Sequence, residues 1–423
     1  MNPSGGRPRV VIVGGGFGGL YAARALRQAA ADVTLVDRTN HHLFQPLLYQ
    51  AATATLAPTD IIAPLRWLLR DQANAEVLMG HVDRIDVERR LAIADGGKRE
   101  LPYDYLILAP GSRHSYFGHA GWEAVAPGLK SIDDAIRIRQ RVLLAFERAE
   151  QADNPAERDR QLTFVIVGGG PTGVELARML PTIARCSVRR DFRHVDTARA
   201  RVVLIEGGPR LLPSFPDDLS IAAREALEEL GVEVLVRAPV TDVEPGAVHM
   251  GTTHIRAATI LWAAGNEPSP LGASLGAPRD RMGRVLVQPD LSVPGHPEVF
   301  VAGDLAAMSS DGTPVPAVAP AAIQSGRHAA QNVLRLIRGA PTRAFRYVNK
   351  GDLATIGRYH AVAKFGDLHV AGPAAWWMWL FVHIMYLAGF RNRLSVLVEW
   401  GYSFFTYQRG SRLIVGQDDR GRP

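Results

Sequence analysis

The run "RVVIV" at Arg9 to Val13 is apolar and β-branched, breaks into "GGGFGG", and continues in the helix formers "LYAARAL". That order predicts a buried strand, a tight turn and a helix. A second apolar run, "DVTLVD", predicts a neighbouring strand. The same alternation returns at "LTFVIVGGGPTGVELARML", followed by the strand "ARVVLIE". "YDYLILAPGS" (Tyr103 to Ser112), "TILWAAGNEP" (Thr259 to Pro268) and "PEVFVAGDLA" read as further buried strands running into small-residue turns. After Val348 the pattern predicts a small strand-rich element, then the nearly charge-free "AAWWMWLFVHIMYLAGF" and the mixed "RNRLSVLVEWGYSFFTYQRG". The expected fold is α/β, with two Rossmann-like dinucleotide-binding domains and a C-terminal region. We place the first domain at residues 1–120 and 285–345, the second at 121–284, and the C-terminal region at 346–423.

The first turn spaces Gly14, Gly16 and Gly19 as G-x-G-x-x-G, and the next strand ends at Asp37, 23 residues after Gly14. Glycines at this spacing let a pyrophosphate approach backbone N–H groups at a helix N-terminus, and the acid accepts hydrogen bonds from ribose hydroxyls. Phe17 and Arg38 flank these positions as further candidate contacts. The second turn offers Gly168, Gly170, Thr172 and Gly173, with Glu206 as its ribose acid. Glu206 would repel a 2′-phosphate, which favours NADH over NADPH, although Arg210 lies close in sequence. The longer spacing to Glu206 comes from a basic insert, "RCSVRRDFRHVDTAR", read as a solvated surface loop. Ala109, Ala264 and Gly265 sit in the turns after the crossover strands, and Gly303 and Asp304 in "AGD" are placed to bind a ribitol hydroxyl.

The single cysteine, Cys186, excludes an intramolecular disulfide and a CxxC pair, so redox chemistry needs a bound cofactor. The histidines, including His41, His42 and His383, show no ligand spacing with carboxylates, and no metal site is expected. A net charge of +6 suits an anionic partner. No small-residue cleavage site follows the first apolar run, so a cytoplasmic chain is expected. Val370 to Phe390 carries no Asp, Glu, Lys or Arg, long enough to span a bilayer were it not interrupted by Gly372, Pro373, His383 and Gly389. Leu380, Phe381, Ile384, Leu387 and Ala388 have helical spacing. Arg391, Arg393, Arg409 and Arg412 are candidates for anionic headgroups. A charged stretch at Arg139 to Gln161 reads as a helix and loop joining domains.

Together the two loops and the "AGD" strand resemble the two-dinucleotide-binding flavoproteins, and the chain looks most like a type II NADH:quinone oxidoreductase. The resemblance covers nearly the whole length and is carried by "NHHLFQPLLYQAATATLAPTDIIAPLR" (Asn40 to Arg66), "GGGPTGVELA", "FPDDLS", "VFVAGDLA", "VPAVAPAAIQSGRHAAQN", "NKGDLATIGRYHAVA" and "WLFVHIMYLAGFRNRL". It implies FAD on the first loop, NADH on the second, and a membrane quinone, ubiquinone or menaquinone, as acceptor without proton pumping. It also implies peripheral attachment at the cytoplasmic face of the membrane through residues 374–409, on an anionic lipid surface, as a homodimer. Nucleic acid is not an expected partner.

The resemblance places Glu175 beside the nicotinamide and flavin as an orienting or proton-relaying carboxylate; position alone reads it as a helix-start acid. Gln324 corresponds to the last residue of the family's quinone-side A-Q-x-A-x-Q, in which Pro320 replaces the first glutamine and Ala322 is the middle alanine. Its amide is expected to hydrogen-bond a quinone carbonyl, and Lys350 to donate to a flavin or quinone oxygen or else to be a loop lysine. Gln45, Pro46 and Leu47 match the segment that packs near the isoalloxazine ring. Two other readings stay open: a flavoprotein reducing a soluble electron carrier, and a nucleotide-sensing flavoprotein that binds nucleic acid or protein.

Overall fold

The computed structural model describes residues 6–357, 359–406 and 411–414. In chain order, the elements that position the site begin with β1 (Arg9–Val13), α1 (Phe17–Ala25), β2 (Asp32–Asp37), α2 (Leu48–Ala52), β3 (Ala75–Met79), β4 (Tyr105–Leu108) and α3 (Ile132–Gln151). There follow β5 (Thr163–Val167), α4 (Pro171–Thr182), β6 (Arg201–Ile205), α5 (Asp217–Glu229), β7 (Val232–Leu235) and β8 (Thr259–Trp262). The last are β9 (Ser292–Val293), β10 (His296–Val301), α6 (Ala319–Ile337), β11 (Asp352–Gly357), β12 (His360–Phe365), β13 (Leu368–Gly372), α7 (Pro373–Tyr386) and α8 (Phe390–Thr406).

The chain divides into two units. The first comprises residues 1–43, 62–113 and 266–350; the second comprises 44–61, 114–265 and 351–423. The first unit is built on a six-stranded sheet in the order β9-β10-β4-β1-β2-β3. Its strands are parallel except at the β9/β10 edge. The second carries a four-stranded parallel sheet, β7-β6-β5-β8. The arrangement β3-β2-β1-β4 of the first sheet is therefore repeated strand for strand, with the first strand of each repeat central. Strands buried on both faces need apolar side chains throughout, which is why Val10, Ile12, Val165 and Ile166 follow one another without polar alternation. In both sheets the order reverses beside the central strand, and there the glycine turn emerges.

The units differ from the boundaries expected from the sequence at every junction, with residues 114–120 in the second unit and 346–350 in the first. Residues 44–61 belong with the second unit, where α2 packs on α3. Residues 266–284 belong with the first, because Leu271 and Leu275 join the core around β1, β4 and β10. The C-terminal residues are part of the second unit rather than separate from it. There β11-β12-β13 form an antiparallel sheet that packs on α4, α5 and α7.

The basic insert is more ordered than a solvated loop. Ile183–Ser187 forms a π-turn after α4, and the chain beyond is clasped by Glu150 at the end of α3. The Glu150 carboxylate accepts from the backbone N–H groups of Arg193, His194 and Val195, and Phe192 packs on Phe146. The stretch Arg139 to Gln161 lies wholly in the second unit, in α3 and the short helix Pro155–Gln161, rather than between units.

Candidate active site

The two glycine turns are copies down to single atoms. Gly14 N–H donates to Val36 O (2.8 Å) and Gly168 N–H to Ile205 O (2.7 Å), tying each turn to the adjacent strand. Ala109 N–H and Ala263 N–H bind the carbonyls that end β1 and β5. Gly14 and Gly168 adopt φ of +102° and +111°, and a Cβ at either would strike the backbone of Ala109 or Ala263. Gly19 and Gly173 face the carbonyls of Gly14 and Gly168, where a Cβ would stand at 1.8 Å. The first and third glycines are therefore demanded by the chain itself.

The middle glycines are not. Gly16 and Gly170 have ordinary extended backbones, and a Cβ on either would meet no protein atom within 4 Å. What excludes a side chain there is what the turn holds, and a dinucleotide pyrophosphate lying against those amides fits. Exchanging Gly16 for alanine is accordingly expected to leave the melting temperature unchanged while weakening FAD binding about 10-fold or more. The Gly170→Ala change should spare FAD and raise KM for NADH comparably. Flavin content after gel filtration and NADH titration check the pair.

Each acid expected at a ribose also braces its own turn. Asp37 accepts from Gly15 N–H at 2.6 Å and from Thr39 N–H and Oγ1. Glu206 accepts from Gly169 N–H and Gly208 N–H, both at 2.6 Å. Arg210, the cation close to Glu206 in sequence, is committed to Asp217 and to Pro213 O.

In the first unit, Asp304 accepts from Ser112 Oγ at 2.6 Å, and Gly303, at φ +68°, stands against Ala322 at the start of α6. Phe17 packs edge-on against His42, whose Nδ1–H donates to Gly15 O at 3.0 Å. Burial lowers the His42 pKa to about 4, so a neutral imidazole supports the turn across the physiological range. Ser325 Oγ receives Gly303 N–H, and a Cβ on Gly326 would fall 2.1 Å from Gly18 O, so α6 packs closely on α1 there. Ser112, Ser325 and Gly326 went unnoticed in the sequence, and His42 was weighed only as a metal ligand, because their partners lie 22 to 308 positions away. Arg38 is exposed.

The Gln324 amide is engaged within the chain. Its Nε2 donates to Val348 O at 2.9 Å and its Oε1 accepts from Val348 N–H at 3.0 Å, so the amide clamps the backbone two residues before Lys350. A quinone carbonyl would have to share it. Pro320 sits in the first turn of α6, where no N–H is needed, so its replacement of glutamine costs the helix nothing. Lys350 is exposed at the end of this clamped segment.

In the second unit, Gln45–Leu47 form one 3₁₀ turn, with Leu47 fully buried and Gln45 Nε2 donating to Lys130 O. Thr172 lies in the first turn of α4. Ala264 leads into Gly265, at φ +76° against Phe117. Glu175 lies one residue beyond that first turn rather than in it. A helix-start acid would have its pKa lowered by the dipole. Burial instead raises Glu175 to about 8, opposed by Arg178 and by a hydrogen bond from the Thr355 backbone. A carboxyl that keeps its proton at neutral pH next to a nucleotide turn is placed for proton transfer.

The pyridine nucleotide-disulphide oxidoreductase family model matches residues 8–326, and the NDH2 C-terminal domain matches residues 349–407. The chain is 44% identical to the type II NADH:quinone oxidoreductase NdhA of Mycobacterium tuberculosis, over 98% of this chain and 90% of that protein. It is 43% identical to the Ndh enzyme of the same organism, over 97% and 91%. The chain belongs to the type II NADH:quinone oxidoreductases. In fold it matches the NDH2 of Plasmodium falciparum solved in complex with NADH, with a TM-score of 0.87, 20% identity, and coverage of 97% of this chain and all of that one.

The C-terminal helices of this type II enzyme present apolar side chains outward. On α7, Ala375, Trp379 and, immediately after the helix, Leu387 are buried, whereas Trp377, Phe381 and Met385 are exposed. On α8, Leu394, Val398 and Tyr402 form a second exposed stripe at i, i+4, i+8. The outward stripe thus differs from the helical set read in the sequence, since Leu387 turns inward and both it and Ala388 lie past the end of α7. The arginines also differ. Arg393 donates to the Met385 and Leu387 carbonyls, closing the C-terminus of α7, and Arg412 binds Ser187 O and Asp191. Arg391 is exposed, and Arg409 lies outside the described residues. No helix among the described residues is long and apolar enough to cross a membrane.

Proposed function

We propose that this chain is a peripheral membrane flavoenzyme that oxidises NADH and reduces a quinone drawn from the bilayer, without pumping protons. The balance is NADH + H⁺ + quinone → NAD⁺ + quinol. The observation that carries it is the duplicated turn, each copy with its own ribose acid and a middle glycine that only a ligand requires, on a chain whose relatives carry this activity along nearly its whole length.

In this reading the first unit holds FAD through Gly14, Gly16, Gly19, Asp37, Ala109, Gly303, Asp304 and Ala322, and the second holds NADH through Gly168, Gly170, Gly173, Glu206, Ala264 and Gly265. Bound FAD supplies a two-electron acceptor for the hydride of NADH. Glu175 keeps a proton at its carboxyl and orients the nicotinamide. Gln324 fixes the segment from which Lys350 donates to a flavin or quinone oxygen. The exposed stripes of α7 and α8 rest on an anionic lipid surface at the cytoplasmic face, with Arg391 toward the headgroups. The homodimer we propose is checked by the mass of the FAD-loaded protein in detergent.

The deciding experiment is an anaerobic one. Flavin absorbance should bleach when NADH is added and recover promptly when a short-chain quinone follows. Bleaching without recovery would point to a soluble electron carrier as acceptor and remove the quinone.

A further inference from the structure

A buried chain of hydrogen bonds in the second unit leads from the C-terminal helix to Glu175. Trp400 Nε1–H of α8 donates to Gln50 Oε1 at 2.6 Å. The indole is only a donor, which fixes the orientation of the Gln50 amide. Gln50 Nε2 then donates to the Tyr49 hydroxyl at 2.9 Å. With its acceptor side taken, the Tyr49 O–H is free to donate to Thr355 Oγ1, 3.2 Å away. Tyr49, Gln50 and Thr355 are each at most 3% exposed, so the bonds among them are made out of water, where an unpaired group is costly.

Tyr49 touches both groups that act on Glu175. Its hydroxyl holds Thr355, whose backbone binds the carboxyl, and its ring lies 5.9 Å under the Arg178 guanidinium, within cation–π range. Of the other charges on the elements packed against this helix, Asp217 is engaged with Arg210, Asp218 with His369, Arg185 with Leu230 O, Arg201 with Glu233 and Arg224 with Glu228, and Asp352 on β11, whose pKa burial raises, has Lys364 as its opposite charge. The chain is mechanical rather than a proton wire, because it passes from the Thr355 side chain to its backbone.

We propose that Tyr49 is a positioning residue of the reaction. Anchored through Gln50 to Trp400 of the C-terminal helix, it holds Thr355 and Arg178 in the places that set the Glu175 carboxyl. This rests on the reading of Glu175 as the nicotinamide-side acid, and it links the seating of α8 to chemistry on the NADH side.

The test is rapid anaerobic mixing of the FAD-loaded enzyme with NADH across pH 6 to 10, following flavin bleaching, for the parent and for Tyr49→Phe, Trp400→Phe and Glu175→Gln. The parent is expected to show an alkaline limb near pH 8. In Tyr49→Phe, loosening the Thr355 bond raises that limb by roughly half a pH unit and slows reduction several-fold. Trp400→Phe, which keeps the ring at a partly exposed position, moves the limb the same way by less, with vesicle retention and reoxidation by a short-chain quinone unchanged. If Glu175→Gln abolishes the limb while both other variants keep that of the parent, the Tyr49 chain is packing alone and the proposal falls. If Glu175→Gln itself keeps the limb, the Glu175 reading fails first and takes the proposal with it. Should Tyr49→Phe fail to fold, Trp400→Phe decides.

Discussion

Glu175→Gln is expected to lower the rate of flavin reduction by NADH at pH 7 by about 100-fold, the lower end of what a positioned acid contributes. Glutamine is nearly isosteric and retains a hydrogen-bonding head, so the nicotinamide can still be oriented. What it lacks is a titrating proton. The parent carboxyl, pushed up to about 8 by burial, is largely protonated at neutral pH and can give that proton up. Stopped-flow bleaching at matched flavin content is the measurement. A rate within twofold of the parent from pH 6 to 9 would leave Glu175 a packing residue.

The same raised pKa has a sign in stability. The unfolded carboxyl loses its proton near 4.5, the folded one only near 8. The unfolded state therefore binds fewer protons between those values. The contribution of Glu175 to stability is full below pH 4.5 and declines as pH rises through that window. The glutamine variant does not titrate, so its melting temperature should fall less than the parent's between pH 5 and 8, and thermal melts at both pH values check it.

The glycine turns and their acids were legible because a pyrophosphate imposes fixed spacings on a few residues next to one another in the chain. The repeated sheet followed from the same signal. Glu175 was found by resemblance, but its protonation was not, since burial belongs to the packed structure and its position suggested the opposite shift. Gln324 shows the limit plainly. Its amide looked free for a ligand, yet it binds the backbone of Val348, 24 positions away. His42 was set aside for want of a metal-ligand pattern and supports the first turn through a carbonyl 27 positions back. Hydrogen bonds from side chain to distant backbone leave no periodic trace. On α7 the difficulty was different: with apolar residues on every side, no polar face marked which stripe turns inward, and only packing against β11, β12 and β13 decides it.

That outward stripe carries the second large effect. Placing glutamate at both Phe381 and Val398, 65% and 62% exposed, should reduce retention on vesicles containing anionic lipid by about 100-fold. Each substitution removes an apolar side chain from the proposed contact and adds a charge that must stay hydrated and is repelled by the headgroups. Neither side chain contributes to the buried core, so the fold should be unaffected. Reduction of a water-soluble quinone should stay at the parental rate, while reduction of a long-chain quinone embedded in the vesicles should fall along with binding. Loss of both activities together would mean that the substitutions damage the site rather than the docking. Unchanged retention would remove the lipid contact from these helices and leave their exposed apolar stripes to the homodimer.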